Sequence, residues 1–244
     1  MLPRLGIEGV YIVHAKTGYE LHENRINTLF AQHGLKYQFV TDGDPSCFSD
    51  DLIQTYFTPD ITKSLSPGVL SCTLNHIFAY ERVVRSNNKY ALVFENDPFF
   101  LGDFCRDMEK IIHEVESLEP GFIISLENTT LRFPPFRQTR KGHHLYEATF
   151  GRAAGAYLID QKAARDILAH LQDHKCGQVI DWWHNTLIAE KVIRMYWAHP
   201  PLTEQGSHNG LLCSTISTKN KSVIRRVRWI TQKYFKMNIA RLFR

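Results

Sequence analysis

Apolar positions along the chain switch between two periods. Gly9-Val10-Tyr11-Ile12-Val13 is an apolar run of strand length, and Glu20 to His33 behind it follows helical spacing up to Gly34. Tyr37 to Val40 reads as a second strand closing on the turn Thr41-Asp42-Gly43-Asp44. Ser66-Pro67 predicts a helix start, with serine as the cap and proline in the first position, where its missing amide costs nothing. From there to about Ser86, Val69, Leu70, Leu74, Ile77, Phe78, Val83 and Val84 recur on one helical face, and Asn87-Asn88 ends it. Tyr90 to Phe94, Phe122 to Leu126 and Ala156 to Ile159 are apolar runs that suit strands buried on both faces. Asp160 is placed to cap a helix carrying Ala163, Ala164, Ile167, Leu168 and Leu171. Arg132 to His144, rich in breakers and basic residues, predicts a mobile loop. Elements alternating in this way make an α/β fold, a mostly parallel sheet flanked by helices.

At 244 residues and 43% apolar content the chain holds one large domain and is not disordered. Charge divides it further. Nine of the 29 Lys and Arg residues, and none of the 25 acidic ones, lie between 219 and 244. An acidic body, residues 1–218, therefore carries a basic tail, residues 219–244. On a helix, Val223, Val227, Ile230, Tyr234 and Met237 form an apolar stripe flanked by Arg225, Arg226, Arg228, Lys233 and Lys236, with Trp229 and Phe235 at its borders. That pattern predicts adsorption to an anionic membrane surface; packing of the stripe on the body is the alternative. Nothing in the body reads as a nucleic-acid module, so no nucleic-acid partner is expected. Cys47, Cys72, Cys105, Cys176 and Cys213 are scattered and odd in number, which predicts reduced thiols, with Cys72 buried and inert. No leader sequence and no apolar stretch of ~20 residues is evident. The expectation is a cytoplasmic protein, peripheral on the inner face of the membrane.

The chemistry concentrates where Ala91-Leu-Val-Phe94 runs into Glu95-Asn96-Asp97-Pro98. Two carboxylates one residue apart at a strand end point the same way, because side chains alternate with period two. A divalent ion with oxygen ligands relieves their repulsion, and the C-terminal edge of an open α/β sheet is where ligands bind. The pair predicts a metal and phosphate site.

Leu65-Ser-Pro-Gly-Val-Leu-Ser-Cys-Thr-Leu-Asn-His76 followed by Tyr90-Ala-Leu-Val-Phe-Glu-Asn-Asp97 closely resembles glycosyltransferase family 25, the lipopolysaccharide-type galactosyltransferases and their collagen-modifying relatives. Weaker similarity covers Arg25, Phe39 to Gly43, Gly151 to Leu168, Val179-Ile-Asp181-Trp and His199-Pro-Pro-Leu-Thr-Glu-Gln205. Where the family has Glu-Asp-Asp, this chain has Glu95-Asn96-Asp97, which keeps the outer pair. The resemblance implies a GT-A-like fold, a nucleotide-sugar donor, Mn²⁺ or Mg²⁺, inversion at the anomeric carbon, and an oligosaccharide or lipid-linked acceptor.

Transfer needs a neutralised leaving group, a base and sugar contacts. Asp97 is the expected direct metal ligand and Glu95 a second, direct or through water. His208, in the glycine-bearing run Gln205 to Gly210, is a third candidate, an exposed loop histidine being the alternative. Asp181, between Val179-Ile180 and Trp182-Trp183, is the expected base, helix capping or sugar binding being the alternative; Glu204 is in reserve. His14, Asp42, His76, Gly155 and Tyr157 are donor-binding candidates, each with a plain packing or turn role as its alternative. Two other functions compete. One is a sugar nucleotidyltransferase, for which Ala15-Lys16-Thr17-Gly18 is a poor phosphate loop. The other is a catalytically degenerate sugar-binding, membrane-associated module.

Overall fold

The computed structural model describes residues 2–212 and 222–243. The tail boundary at 218/219, Cys213, Lys219 and Lys221 lie outside the described residues. The strands are β1 (Ile7–Val13), β2 (Gln38–Val40), β3 (Tyr90–Phe94), β4 (Pro98–Phe100), β5 (Phe122–Ser125), β6 (Leu145–Ala148), β7 (Ala156–Asp160), β8 (Arg194–Ala198) and β9 (Thr203–Gln205). The α-helices are α1 (Glu20–Gln32), α2 (Asp50–Tyr56), α3 (Ile61–Ser64), α4 (Pro67–Arg85), α5 (Phe104–Val115), α6 (Gln161–Asp173), α7 (Ile180–Ala189), α8 (Gly206–Asn209) and α9 (Val223–Asn238).

Seven strands form one sheet in the order β2-β1-β3-β7-β5-β8-β6. β1 is parallel to β2 and β3, and β5 to β8, whereas β7 opposes β3 and β5, and β6 opposes β8. Most strands therefore point one way. Period-two alternation sorts the apolar runs: Tyr11, Val93 and Ile159 face one core under α4, α6 and α7, while Ile12, Leu92, Phe94 and Leu158 face another under α1 and α5. Covering both faces is what makes these strands continuous apolar runs. Ile12 pairs with Phe94, so the chain leaves β1 and β3 at the same edge.

Local details refine the sequence reading. Asp160 caps α6 through Ala163 N–H and also accepts Gly121 and Phe122 N–H. Ser66 is the cap residue of α4, but its side chain makes no capping bond; its carbonyl instead accepts from Val69 and Leu70. The loop from Arg132 is tied down at its start. Phe133 and Leu131 are buried against Trp229, and Arg241 Nε donates to the Pro134 carbonyl at 2.7 Å.

The basic helix α9 docks by a face other than its apolar stripe. Arg226, Trp229, Lys233 and Met237 recur at three- and four-residue spacing and form its inward face, with Trp229 9% exposed. The stripe of Val223, Val227, Ile230 and Tyr234 is turned outward, and only Met237 of that set packs inward. The body offers a buried acid, Glu204, with the Leu131–Phe133 patch, so paired charge and the indole decide which face docks. No helix among the described residues is long and apolar enough to cross a membrane.

This orientation has a direct test. Trp229→Ala should strip the α9 amides of hydrogen-exchange protection while those of β3 keep theirs, and Ile230→Ala should change stability by no more than about 0.5 kcal/mol.

Candidate active site

The acidic turn leaving β3 is held residue by residue. Asp97 is 4% exposed; its Oδ2 accepts Ser207 N–H at 2.8 Å, and its carbonyl accepts Gly206 N–H at 2.9 Å. Its Oδ1 is buried without a hydrogen-bond partner. Glu95 donates its N–H to the Gly155 carbonyl at 2.9 Å, and its Oε2 accepts Gln205 Nε2 at 2.9 Å. Its Oε1 lies 3.9 Å from Cys72 Sγ and 3.8 Å from His76 Nε2. Burial, then the charge of Asp97, pushes the Glu95 carboxyl up to about 8. Arg25 braces the turn through the Asn96 and Pro98 carbonyls at 2.9 and 2.6 Å. Pairing of β4 with β9 carries Gln205 to the turn. Gly155 permits this approach, since a β-carbon there would sit 2.2 Å from the Gln205 side chain.

Beside the turn lies a cleft of about 390 Å³, lined among others by His14, Tyr19, Asp44, Ser46, Gly68, Ser71, Cys72, Asn75, Glu95 and Asn96. That volume suits a small polar ligand. The first turn of α4 opens onto it at Gly68, adding the positive end of a helix dipole. Asn75 ties its walls together, accepting Gly43 N–H at 2.8 Å and donating to the His14 carbonyl at 3.3 Å. Asp44 accepts the Ser46 hydroxyl and the N–H groups of Lys16 and Ser46; burial acts to raise its pKa, but the hydroxyl bond and then the two amides hold the carboxyl below its ordinary value. Asp42, the carboxylate singled out from sequence, instead pairs with Arg82 at 2.5 Å and is 60% exposed. His14 lines the cleft with its ring stacked on Phe39 and its Nε2 3.1 Å from Glu23. Lys16 of the weak phosphate-loop pattern contacts Cys47 and carries no bond of a phosphate cradle.

Behind the cleft a buried file of hydroxyls and imidazoles crosses the core. His76 Nδ1 lies 2.7 Å from Tyr157 Oη, which donates to Tyr80 Oη at 2.9 Å, and Tyr80 Oη is 2.7 Å from His184 Nε2. Burial pushes His76 down to about 4 and His184 to about 3, so both rings are neutral near pH 7. Asp181, on the first turn of α7, is half-buried and bonded to the Ala154 amide. Burial, then the Glu95 charge, raises it to about 6. Of its neighbours, Trp183 is core and Trp182 is exposed. The structure thus gathers His76, Glu95, Asp97, Gly155, Tyr157 and Asp181 around one strand edge, and leaves Asp42 on the outside.

Glu204 has other work. It is buried and held by Lys233, Arg226 and Asn209; burial favours a raised pKa, but these partners bring it below the ordinary value. It is an anchor for α9. His208 is half-buried in α8, one residue beyond the amide that binds Asp97.

Glu127 and Arg152 escaped the sequence reading, and both are fully buried. Burial pushes Glu127 up to about 8 and Arg152 down to about 9. Glu127 accepts the Thr129 amide, and Thr129 Oγ1 donates to Gln205 Oε1 at 2.7 Å, so the acid supports Glu95 through two intermediaries. A usable signal existed. Glu127 directly follows the apolar run 122–126, as Glu95 follows 91–94.

Comparison with known proteins agrees with this geometry. A sequence model of glycosyltransferase family 25 (LPS biosynthesis protein) matches residues 19–181. A glycosyltransferase 25 family member of Aedes aegypti is 21% identical over 68% of this chain and 28% of its own length. Procollagen galactosyltransferase 1 of Danio rerio is 21% identical over 68% of this chain and 29% of its own. The probable inactive glycosyltransferase 25 family member 3 of Bos taurus is 30% identical over 49% of this chain and 20% of its own. The chain thus matches between a fifth and a third of the length of these relatives. With the family match covering most of the cleft and the acidic turn, the chain belongs to glycosyltransferase family 25.

Proposed function

We propose that this chain is a metal-dependent, inverting glycosyltransferase that moves a hexose, galactose from UDP-galactose, onto a hydroxyl of a lipopolysaccharide or other lipid-linked oligosaccharide. Family membership and the galactosyltransferase named among the relatives support the reaction class and the donor sugar. The observation that carries the reading is the acidic turn beside the cleft. Asp97 Oδ1 is buried without a partner, and Glu95 is held far above its ordinary pKa by burial beside Asp97. A hard divalent cation fits those oxygens. Glu95 and Asp97 would hold it, with His208 as the proposed third ligand. When bound, such an ion stabilises the charge of a departing diphosphate.

The chain's own groups supply the remainder. The N-terminal turn of α4 favours an anion in the cleft. Asp44, Asn75 and His14 form the wall farther along, where a nucleoside would be oriented. Gln205 fixes one oxygen of Glu95 and leaves the other to the weak donor Cys72. Asp181 is the proposed base that takes the proton of the acceptor hydroxyl, its raised pKa bringing it near the working range. Glu204, committed to Lys233 and Arg226, has no part in proton transfer here.

The acceptor would be met at a membrane. Outward on α9 and just beyond it lie Val223, Ile224, Val227, Ile230, Tyr234, Leu242 and Phe243, each at least half exposed, with Arg228 at their edge and no acidic residue from 219 onward. This face fits shallow insertion into an anionic leaflet. The proposed location is accordingly the inner face of the cytoplasmic membrane.

Four outcomes test these readings. Calorimetry should show UDP binding that requires Mn²⁺ and is lost in Asp97→Ala; equal binding without metal would sink the ion assignment, and binding with no donor hydrolysis would favour the inactive reading that the Bos taurus relative's name suggests. Because the base must be deprotonated, kcat/KM should fall about tenfold per pH unit below about pH 6. Asp181→Asn should lower kcat by ~10²-fold or more while sparing UDP binding. In liposome flotation the intact chain should rise with anionic vesicles and the doubly substituted Ile224→Glu, Val227→Glu protein should not; equal partitioning would remove the membrane proposal.

A further inference from the structure

Cys72, His76 and Glu95 converge behind the acidic turn. Cys72 and His76 are four residues apart on α4 and therefore share a face. Cys72 Sγ, His76 Nε2 and a Glu95 carboxylate oxygen all lie within 4.8 Å of one another. Cys72 and Glu95 line the cleft, so the cluster is reached from the side where a ligand enters.

The imidazole is the informative member. The His76 ring is fully buried and its Nε2 has no hydrogen-bond partner. Its other nitrogen is committed: Tyr157 donates onward to Tyr80, so Tyr157 Oη is left to accept from His76 Nδ1–H. Nε2 then carries a lone pair 3.8 Å from Glu95 Oε1, to which the Cys72 thiol donates at 3.9 Å. A lone pair buried without a donor is unfavourable, and a cation shared with the thiol and the carboxyl oxygen would satisfy it. A histidine with one nitrogen bonded to the protein and the other free toward thiol and carboxylate has the arrangement of a metal ligand with its outer support in place.

The donor types select the ion. Manganese and magnesium prefer oxygen, whereas a thiolate–imidazole–carboxylate set suits zinc. Bond lengths of about 2.3 Å to sulfur and about 2.0–2.1 Å to nitrogen or oxygen put tetrahedral donors roughly 3.4–3.6 Å apart. The spacings of 3.8 and 3.9 Å close to that range with small side-chain movements. We propose that Cys72, His76 and Glu95 form a second metal site, specific for a thiophilic divalent cation such as Zn²⁺, with a fourth position open to the cleft. On binding, the ion replaces the Cys72 thiol proton and any proton held by the Glu95 carboxyl, and these leave to solvent. The site shares Glu95 with the oxygen-ligand ion proposed above and draws Oε1 toward α4, so Zn²⁺ antagonises the donor-binding state. That consequence rests on the transferase reading; the existence of the site does not.

Titrating the metal-free full chain with Co²⁺ tests it. The wild type should develop a near-ultraviolet thiolate-to-cobalt band that saturates at one equivalent and is displaced by Zn²⁺. Cys105→Ser should keep the band and Cys72→Ser should lose it. An absent band in the wild type, or an unchanged one in Cys72→Ser, overturns the proposal. His76→Gln keeps the thiol and should weaken Co²⁺ at least about tenfold, the loss that even outer-shell changes produce; unchanged affinity also overturns it. Far-ultraviolet circular dichroism of the Cys72→Ser sample, expected to match the wild type, reports its fold separately. Absence of Mn²⁺-dependent UDP binding in the wild type with the cobalt band intact would sink the transferase reading alone.

Discussion

Repulsion between Glu95 and Asp97 is the constraint around which this edge of the molecule is arranged. Both acids leave a strand buried on two faces; Asp97 is almost fully enclosed and Glu95 is partly open to the cleft. Each is met by fixed donors: Gln205 on one carboxylate, the Ser207 amide on the other, and Arg25 on the Asn96 and Pro98 carbonyls that flank Asp97. The compensation is incomplete. One oxygen of Asp97 has no partner and burial keeps Glu95 well above its ordinary pKa, which supports the cation proposed there.

Much of the scaffold was legible because burial on both faces writes itself into local composition. Runs such as Ala91–Phe94 and Ala156–Ile159 admit only the centre of a covered sheet. Edge strands carry no such mark: β6 is short and mixed, and β9 is Thr-Glu-Gln, polar residues buried by their partners and not by their own hydrophobicity. The site divides in the same way. Glu95, Asp97 and Asp181 stand against apolar neighbours in sequence, so their burial could be anticipated. The role of Gln205 could not, because it depends on the long-range pairing of β4 with β9, which brings it to a residue 110 positions earlier in the chain.

Asp42 and Asp44 show how finely that limit cuts. Both belong to the turn after β2, and nothing in the sequence ranks one above the other. A nearby arginine on α4 draws Asp42 away, and Asp44 is turned into the cleft by two backbone amides. Helix α9 teaches the same lesson in reverse. Hydrophobic periodicity located its apolar stripe, yet a buried glutamate and one indole chose the face that docks.

Glu204, Gln205 and Ser207 lie within four residues of one another, and each serves a different master. Glu204 receives the cations of α9, Gln205 steadies Glu95, and Ser207 joins Asp97 through its amide to Arg225 through its carbonyl. A pull that lifts the terminal helix would strand a charged glutamate inside the protein and slacken the two struts beside it. Whatever grips that helix from outside therefore has a mechanical lever on the acidic turn.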